Sequence, residues 1–213
     1  MLRMIQIDKS FNIGTINEKQ IFQGLNLTIN DGDFLTVIGG NGAGKSTMLN
    51  LIAGVHKADG GRIILDGEDL TYKNETQRAR YIGRVFQDPM MGTAPTMMIE
   101  ENLAMAYRRT KRRTLAWGIS QKERELYRDS LSQLGLGLED RMKTKVGLLS
   151  GGQRQAVTLL MATLQKPKLL LLDEHTAALD PATSTKVLQL SDQIIRDHQL
   201  TALMVTHNMQ DAI

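Results

Sequence analysis

Cysteine is absent from the 213 residues, which excludes disulfides, thiolate metal sites and thiol nucleophiles and fits a reducing compartment. Only four prolines occur, and no Pro- or Ser-rich stretch reads as a linker. Aromatics make up 4% of the chain, and no apolar run approaches the ~20 residues that a membrane helix needs. The first thirty residues lack the features of a signal peptide. Neither charge dominates: 26 Lys+Arg stand against 23 Asp+Glu, and a net charge of +3 is too small to argue for nucleic acid or a bulk membrane surface. These absences point to a cytoplasmic chain with no nucleic-acid partner. What is present is an ordinary globular composition, 41% apolar, with the length to bury a core in one domain plus a subdomain.

Along the chain, "LRMIQID" and "LNLTIN" alternate apolar and polar residues as half-buried strands do, and "NDGD" at 30–33 reads as a turn. Phe34–Ile38 is a short strand that runs into "GGNGAGKST", after which Met48, Leu49, Leu51 and Ile52 supply the apolar face of a helix that Gly54 ends. "GRIILDGEDL" is a further strand with an Asp66-Gly67 turn. From about 95 to 165 the pattern is mostly helical, with Leu126, Ser130, Leu131 and Leu134 on one face of a polar helix. "PKLLLLDE" and "LTALMVTH" are continuous apolar runs of the kind buried on both faces of a parallel sheet. The expected fold is therefore α/β, with a ligand at the carboxyl edge of the strands.

Gly39 to Ser46 match G-x-x-x-x-G-K-[ST] in the strand–loop–helix setting that the motif requires. Gly39, Gly40, Asn41, Gly42, Ala43 and Gly44 are small enough to wrap backbone amides around phosphates, with the first turn of the helix, through Thr47, behind them. Lys45 neutralises the β- and γ-phosphates in such a loop, and the Ser46 hydroxyl ligates Mg²⁺. Asp173, after four leucines, is placed to support the metal, and Glu174 beside it to polarise a water, although such a pair also simply closes a buried strand. His207 follows another strand end; a lone histidine there is more often structural. A GTPase would carry a guanine-reading Asn/Thr-Lys-x-Asp element, and none is present. Arg108, Arg109, Lys111, Arg112 and Arg113 imitate the lid of a small-molecule kinase, but a charge run more commonly marks a solvated helix face.

"LSGGQ" at 149–153 resembles the signature of the ABC ATPase family, and the other motifs follow in that family's order. Gln87 in "VFQDP" is similar to its Q-loop, "LLLLDE" to its Walker B strand, "AALD" at 177–180 to its D-loop, and His207 in "MVTHNM" to its switch histidine. The resemblance implies a P-loop NTPase of ABC ATPase type: a parallel sheet core with an N-terminal antiparallel β subdomain (about 1–94 and 166–213) and a helical signature subdomain (about 95–165). It implies ATP and Mg²⁺ as ligands. Phe11 in "KSF" would stack on adenine, Gln87 would help ligate Mg²⁺ and sense the γ-phosphate, Glu174 would be the general base, and His207 would hold the γ-phosphate and the water. Ser150, Gly151, Gly152 and Gln153 would close the nucleotide site of a second, head-to-tail subunit at the N-terminus of a helix spanning 153–165, and Asp180 would communicate between the two sites.

The same resemblance implies a homodimer working on transmembrane permease subunits carried by separate chains, peripheral at the inner face of the cell membrane. "DEHTAALDP" with "VTHNM" looks most like bacterial importers of amino acids, of the tryptophan or tyrosine type, which work with a substrate-binding lipoprotein. Many family members have Pro in place of His175, which reads as a marker of lineage more than of chemistry. Five methionines, Met90, Met91, Met97, Met98 and Met105, fall where a permease coupling helix docks, and either line that groove or pack the core. The family domain usually continues well beyond the switch histidine, so its C-terminal part is expected to be missing from this chain. The rival reading is a soluble ABC ATPase of cofactor assembly or another non-transport process; neither the coiled coil of repair members nor the second cassette of translation members is present. A regulatory ATP-binding module without turnover fits poorly with Glu174 and His207 both in place.

Overall fold

The computed structural model describes residues 1–109 and 118–207. Two compact units divide them: Met1–Gly83 with Lys168–Asp173 and the chain from Gln199, and Arg84–Pro167 with Glu174–His198.

In the first unit, β1 (Leu2–Phe11) pairs antiparallel with β2 (Lys19–Ile29) and with β4 (Gly60–Leu65), and the two-residue β5 (Glu68–Asp69) completes the order β2-β1-β4-β5. Leu2 and Met4 are buried while Arg3 and Ile5 are exposed, as the strand period demands; bulges beyond Met4 then shift the register. The Asp66-Gly67 turn takes positive φ at both residues, 51° and 77°, the twist that a two-residue hairpin needs.

The second sheet is built from β3 (Phe34–Ile38), β6 (Ile82–Val85), β7 (Leu169–Asp173) and β8 (Ala202–Thr206) in the order β3-β8-β7-β6, with β3 and β7 each parallel to β8. Leu169 to Leu172 and all of β8 are buried, which accounts for their unbroken apolar sequences. α1 (Lys45–Ala53) buries Met48, Leu49, Leu51 and Ile52 and ends at Gly54, whose N–H donates to the carbonyl of Asn50 at 3.0 Å. The short α2 (Glu75–Arg78) contributes Arg78, almost wholly buried, whose guanidinium donates to the carbonyls of Leu51 and Ile52 at 2.6 and 2.9 Å. Burial pulls its pKa down to about 10; the carbonyls at the negative end of α1 hold the cation.

The second unit is helical: α3 (Ile99–Tyr107), α4 (Gln121–Ser132), α5 (Gly151–Thr163) and α6 (Pro181–His198). Two sequence expectations change here. The buried side of α4 runs through Tyr127 and Leu131 and on to Leu134, while Leu126 is exposed; the i, i+4, i+7 spacing of those three sets the face. The signature helix begins at Gly151, two residues before the expected start at 153. Ser150 and Gln153 form a reciprocal capping box, the Ser150 hydroxyl accepting the Gln153 N–H at 3.3 Å and the Gln153 amide oxygen accepting the Ser150 N–H at 3.2 Å. The glycines thus lie inside the first turn, where helix propensity matters least because the amides have no helical acceptor anyway.

Candidate functional site

The loop Gly39–Gly44 leaves the end of β3, and Gly44 turns the chain into α1 at φ 88°. Only glycine accepts that conformation cheaply, and a Cβ there would also approach Ile21 Cγ2 to 2.9 Å. α1 opens with no side-chain cap and no acidic residue in its first turn, and the positive end of its dipole faces the loop. Lys45 is 8% exposed, and its ammonium donates to the carbonyls of Gly39 at 2.7 Å and Gly40 at 3.1 Å. Loop, helix end and cation together make an anion-binding cradle.

Register places two further groups, His207 and Asp173, at the same edge of the first unit. Ile38 is level with Thr206, and Asp173 with Val205. Gly39, His207 and Asp173 therefore lie at the carboxyl ends of three adjacent parallel strands, within roughly 10 Å of one another at ordinary strand spacing. Among the described residues no cluster of three or more His, Asp or Glu forms a metal site on its own. A hydroxyl at Ser46 and a carboxylate at Asp173 nevertheless suit Mg²⁺, which keeps waters and phosphate oxygens for most of its shell. Phe11, the last residue of β1, meets His56 edge to face at 5.3 Å between ring centroids, and the Lys9 ammonium lies 5.2 Å from its ring.

The remaining motif residues belong to the second unit. Glu174 directly follows β7 with φ 44°, a left-handed conformation that is costly for a non-glycine residue and concentrates at functional turns. Gln87 is exposed in the bend beyond β6. Ser150, Gly151, Gly152 and Asp180 come together: a Cβ on Gly152 would strike Thr183 Cγ2 at 2.2 Å, and one on Gly151 would meet Leu179 Cδ2 at 3.1 Å. Asp180 accepts the Thr183 N–H at 3.1 Å, and its hydrogen bonds with Thr183 hold its carboxyl below the usual range. The signature glycines are thus also the contact surface of α5 on α6.

Four residues carry roles that sequence reasoning missed. Asp180-Pro181 starts α6 as cap and first helical residue, a pattern visible in the sequence. His175 is buried, and its Nε2 lies 3.0 Å from Ser191 Oγ, which spends its own hydrogen on the Val187 carbonyl at 2.8 Å. His175 is therefore the donor, and burial lowers its pKa to about 4, so the ring is neutral. Gln155 is fully buried and donates to the carbonyl of Phe86 at 3.1 Å; an amide among apolar helix residues was its only sequence signal. Of the basic run, Arg108 pairs through two nitrogens with Glu123 at 3.0 and 2.7 Å, whereas Arg109 is half-buried and burial lowers its pKa. Lys111, Arg112 and Arg113 lie outside the described residues.

Residues 22–177 match the family model for the ABC transporter. The chain belongs to the ABC transporter family. It is 44% identical over its full length to a tyrosine transport ATP-binding protein of Clostridioides difficile, of which it spans 84%. It is 38% identical, over 88% of its residues, to the methionine import ATP-binding protein MetN of Rhizobium johnstonii, and spans half that protein's length. Its fold is similar to that of the ATP-binding cassette MJ0796, solved as a dimer in a post-hydrolysis state with ADP and phosphate, with a TM-score of 0.83, 28% identity, and 100% of this chain and 90% of that one covered. The α/β cassette fold read from the motifs is the one observed. As an ABC ATP-binding subunit, the chain is an ATPase whose hydrolysis is coupled to transport.

Proposed function

We propose that this ATPase drives import of an amino acid through a separate membrane permease, binding ATP and Mg²⁺ between two copies paired head to tail. In this reading Lys45 and the amides of Gly39–Thr47 hold the phosphates, Ser46, Gln87 and Asp173 hold Mg²⁺, and Phe11 stacks on adenine. Mg²⁺ supplies charge neutralisation on the phosphate oxygens. Glu174 accepts the proton of the attacking water and His207 orients that water against the γ-phosphate. Residues of about 1–94 and 166–213 form the nucleotide-binding core and 95–165 the signature subdomain.

One observation carries the pairing. Ser150 caps its own helix by accepting the Gln153 N–H, which leaves its hydroxyl hydrogen to donate outward, at a helix end with no acidic residue in its first turn. Such an end attracts a phosphate; in this reading the phosphate is held on a partner's Lys45 loop. The dimeric cassette that this chain resembles supports the reading.

The full-length likeness to a tyrosine transport protein favours an amino acid as solute; a substrate-binding lipoprotein delivers it in this reading. Among the described residues no helix is long and apolar enough to cross a membrane, which fits a subunit seated on the cytoplasmic side of a separate permease. Met90, Met91 and Met105 are exposed and offer an adaptable apolar surface for that contact.

The test is a trapped dimer. Glu174→Gln with ATP and Mg²⁺ should elute as a dimer on size exclusion, and adding Ser150→Arg should return it to monomer. A Glu174→Gln protein that stays monomeric even with its permease would refute the head-to-tail site.

A further inference from the structure

Gln155 lies five residues beyond the signature serine and is fully buried on α5. Its two amide atoms fare differently: Nε2 donates to the Phe86 carbonyl at 3.1 Å, while Oε1 is buried with no hydrogen-bond partner among the described residues. A half-satisfied buried amide is worse for stability than an apolar side chain of the same size. Packing alone would favour leucine or methionine here. What the amide provides is the bond to Phe86, the residue immediately before Gln87.

From Phe86 to Ala94 the chain is tacked to the helices at three points. Gln155 holds the Phe86 carbonyl. Gly92 lies so close to α5 that a Cβ would meet Thr158 Cγ2 at 2.7 Å. The Ala94 N–H donates to Asn102 Oδ1 at 2.8 Å, and its carbonyl accepts from Asn102 Nδ2 at 3.1 Å. Between the first two points runs an arc whose Gln87, Asp88, Met90 and Met91 are exposed.

We infer that Gln155 is a positioning residue for Gln87: its bond to the Phe86 carbonyl fixes the point from which the Gln87 arc leaves α5. Because α5 is one rigid element with Ser150 at its start, a shift of the signature end carries the Phe86 carbonyl with it. This inference rests on the proposed role of Gln87 as a Mg²⁺ ligand.

Gln155→Met keeps the length and removes the donor. In the nucleotide-free full-length subunit, amide hydrogen exchange across 86–91 should rise about tenfold, with exchange in the rest of α5 unchanged. The Mg²⁺ concentration for half-maximal ATP hydrolysis should rise about fivefold, and in a Gln87→Ala background Gln155→Met should add nothing, since the effect passes through Gln87. Unchanged exchange over 86–91, or effects of the two substitutions that multiply, would overturn the inference. If Gln87→Ala alone leaves the Mg²⁺ dependence untouched, the assigned role of Gln87 falls, and this inference with it. Should Gln155→Met fail to fold, Gln155→Leu is read by the same two measurements.

Discussion

Two helices of this chain begin with glycines, and they begin differently. α1 enters from Gly44 in a left-handed conformation without a side-chain cap, its lysine folded back onto the carbonyls of its own loop. α5 enters from Ser150 through a closed capping box, with Gly151 and Gly152 inside the helix and pressed against α6. At α1 glycine serves backbone conformation and the close approach of Ile21 and Phe22; at α5 it serves helix-to-helix approach. The first end brings its own cation to an anion. The second brings a hydroxyl and a dipole, and in the proposed reading meets a phosphate held on a partner's loop.

The largest test of this contrast is Lys45→Ala, which removes the cation from the first end. Phosphate release should fall by at least about 100-fold, as for other groups that stabilise transferring phosphate charge. A variant retaining near-normal turnover would erase the distinction between the two helix starts.

Next in size is a pH effect that belongs to the α6 side of the second end. His175 has a pKa of about 4 when folded and about 6.5 when unfolded. Below pH 6.5 the unfolded chain takes up a proton that the folded chain refuses, so stability falls as pH drops from 6.5 to 4, by up to about 3 kcal/mol. Urea unfolding at pH 7 and pH 4.5 should show this loss, and His175→Leu should abolish most of it.

Gly152→Ala puts a methyl group where Thr183 Cγ2 already sits, an overpacking that should cost about 2 kcal/mol. Thr183→Ser removes that methyl and should restore most of the stability. If Gly152→Ala is instead neutral by chemical denaturation, the glycine serves a ligand and not the α5–α6 contact.

Ser150→Ala is the smallest change. Losing the cap should cost about 1 kcal/mol, whereas substituting Ala for Ser46 in the first turn of α1, where no side-chain cap exists, should cost stability much less by the same assay.

The cradle was legible because its chemistry is local. Strand, glycines, lysine and helix follow one another within a few residues, and the 3.6-residue period sets the capping box of Ser150 and Gln153 just as locally. Leu126 was misjudged because helix periodicity ranks faces only by apolar count, and Tyr127, amphipathic in sequence, turned out to be the buried one. The helix start at Gly151 was missed because glycine's poor propensity outweighed a cap that was already written in Ser150 and Gln153.

By itself the sequence determined which groups carry charge, which stretches form strands and helices, and the family to which they belong, since these depend on residue type and short spacing. Only the tertiary structure decided that Gly152 touches Thr183, that His175 is a buried neutral donor to Ser191, and that Gln155 grips Phe86. Those contacts join residues far apart along the chain, and burial, which sets their energies, exists only once distant segments have packed.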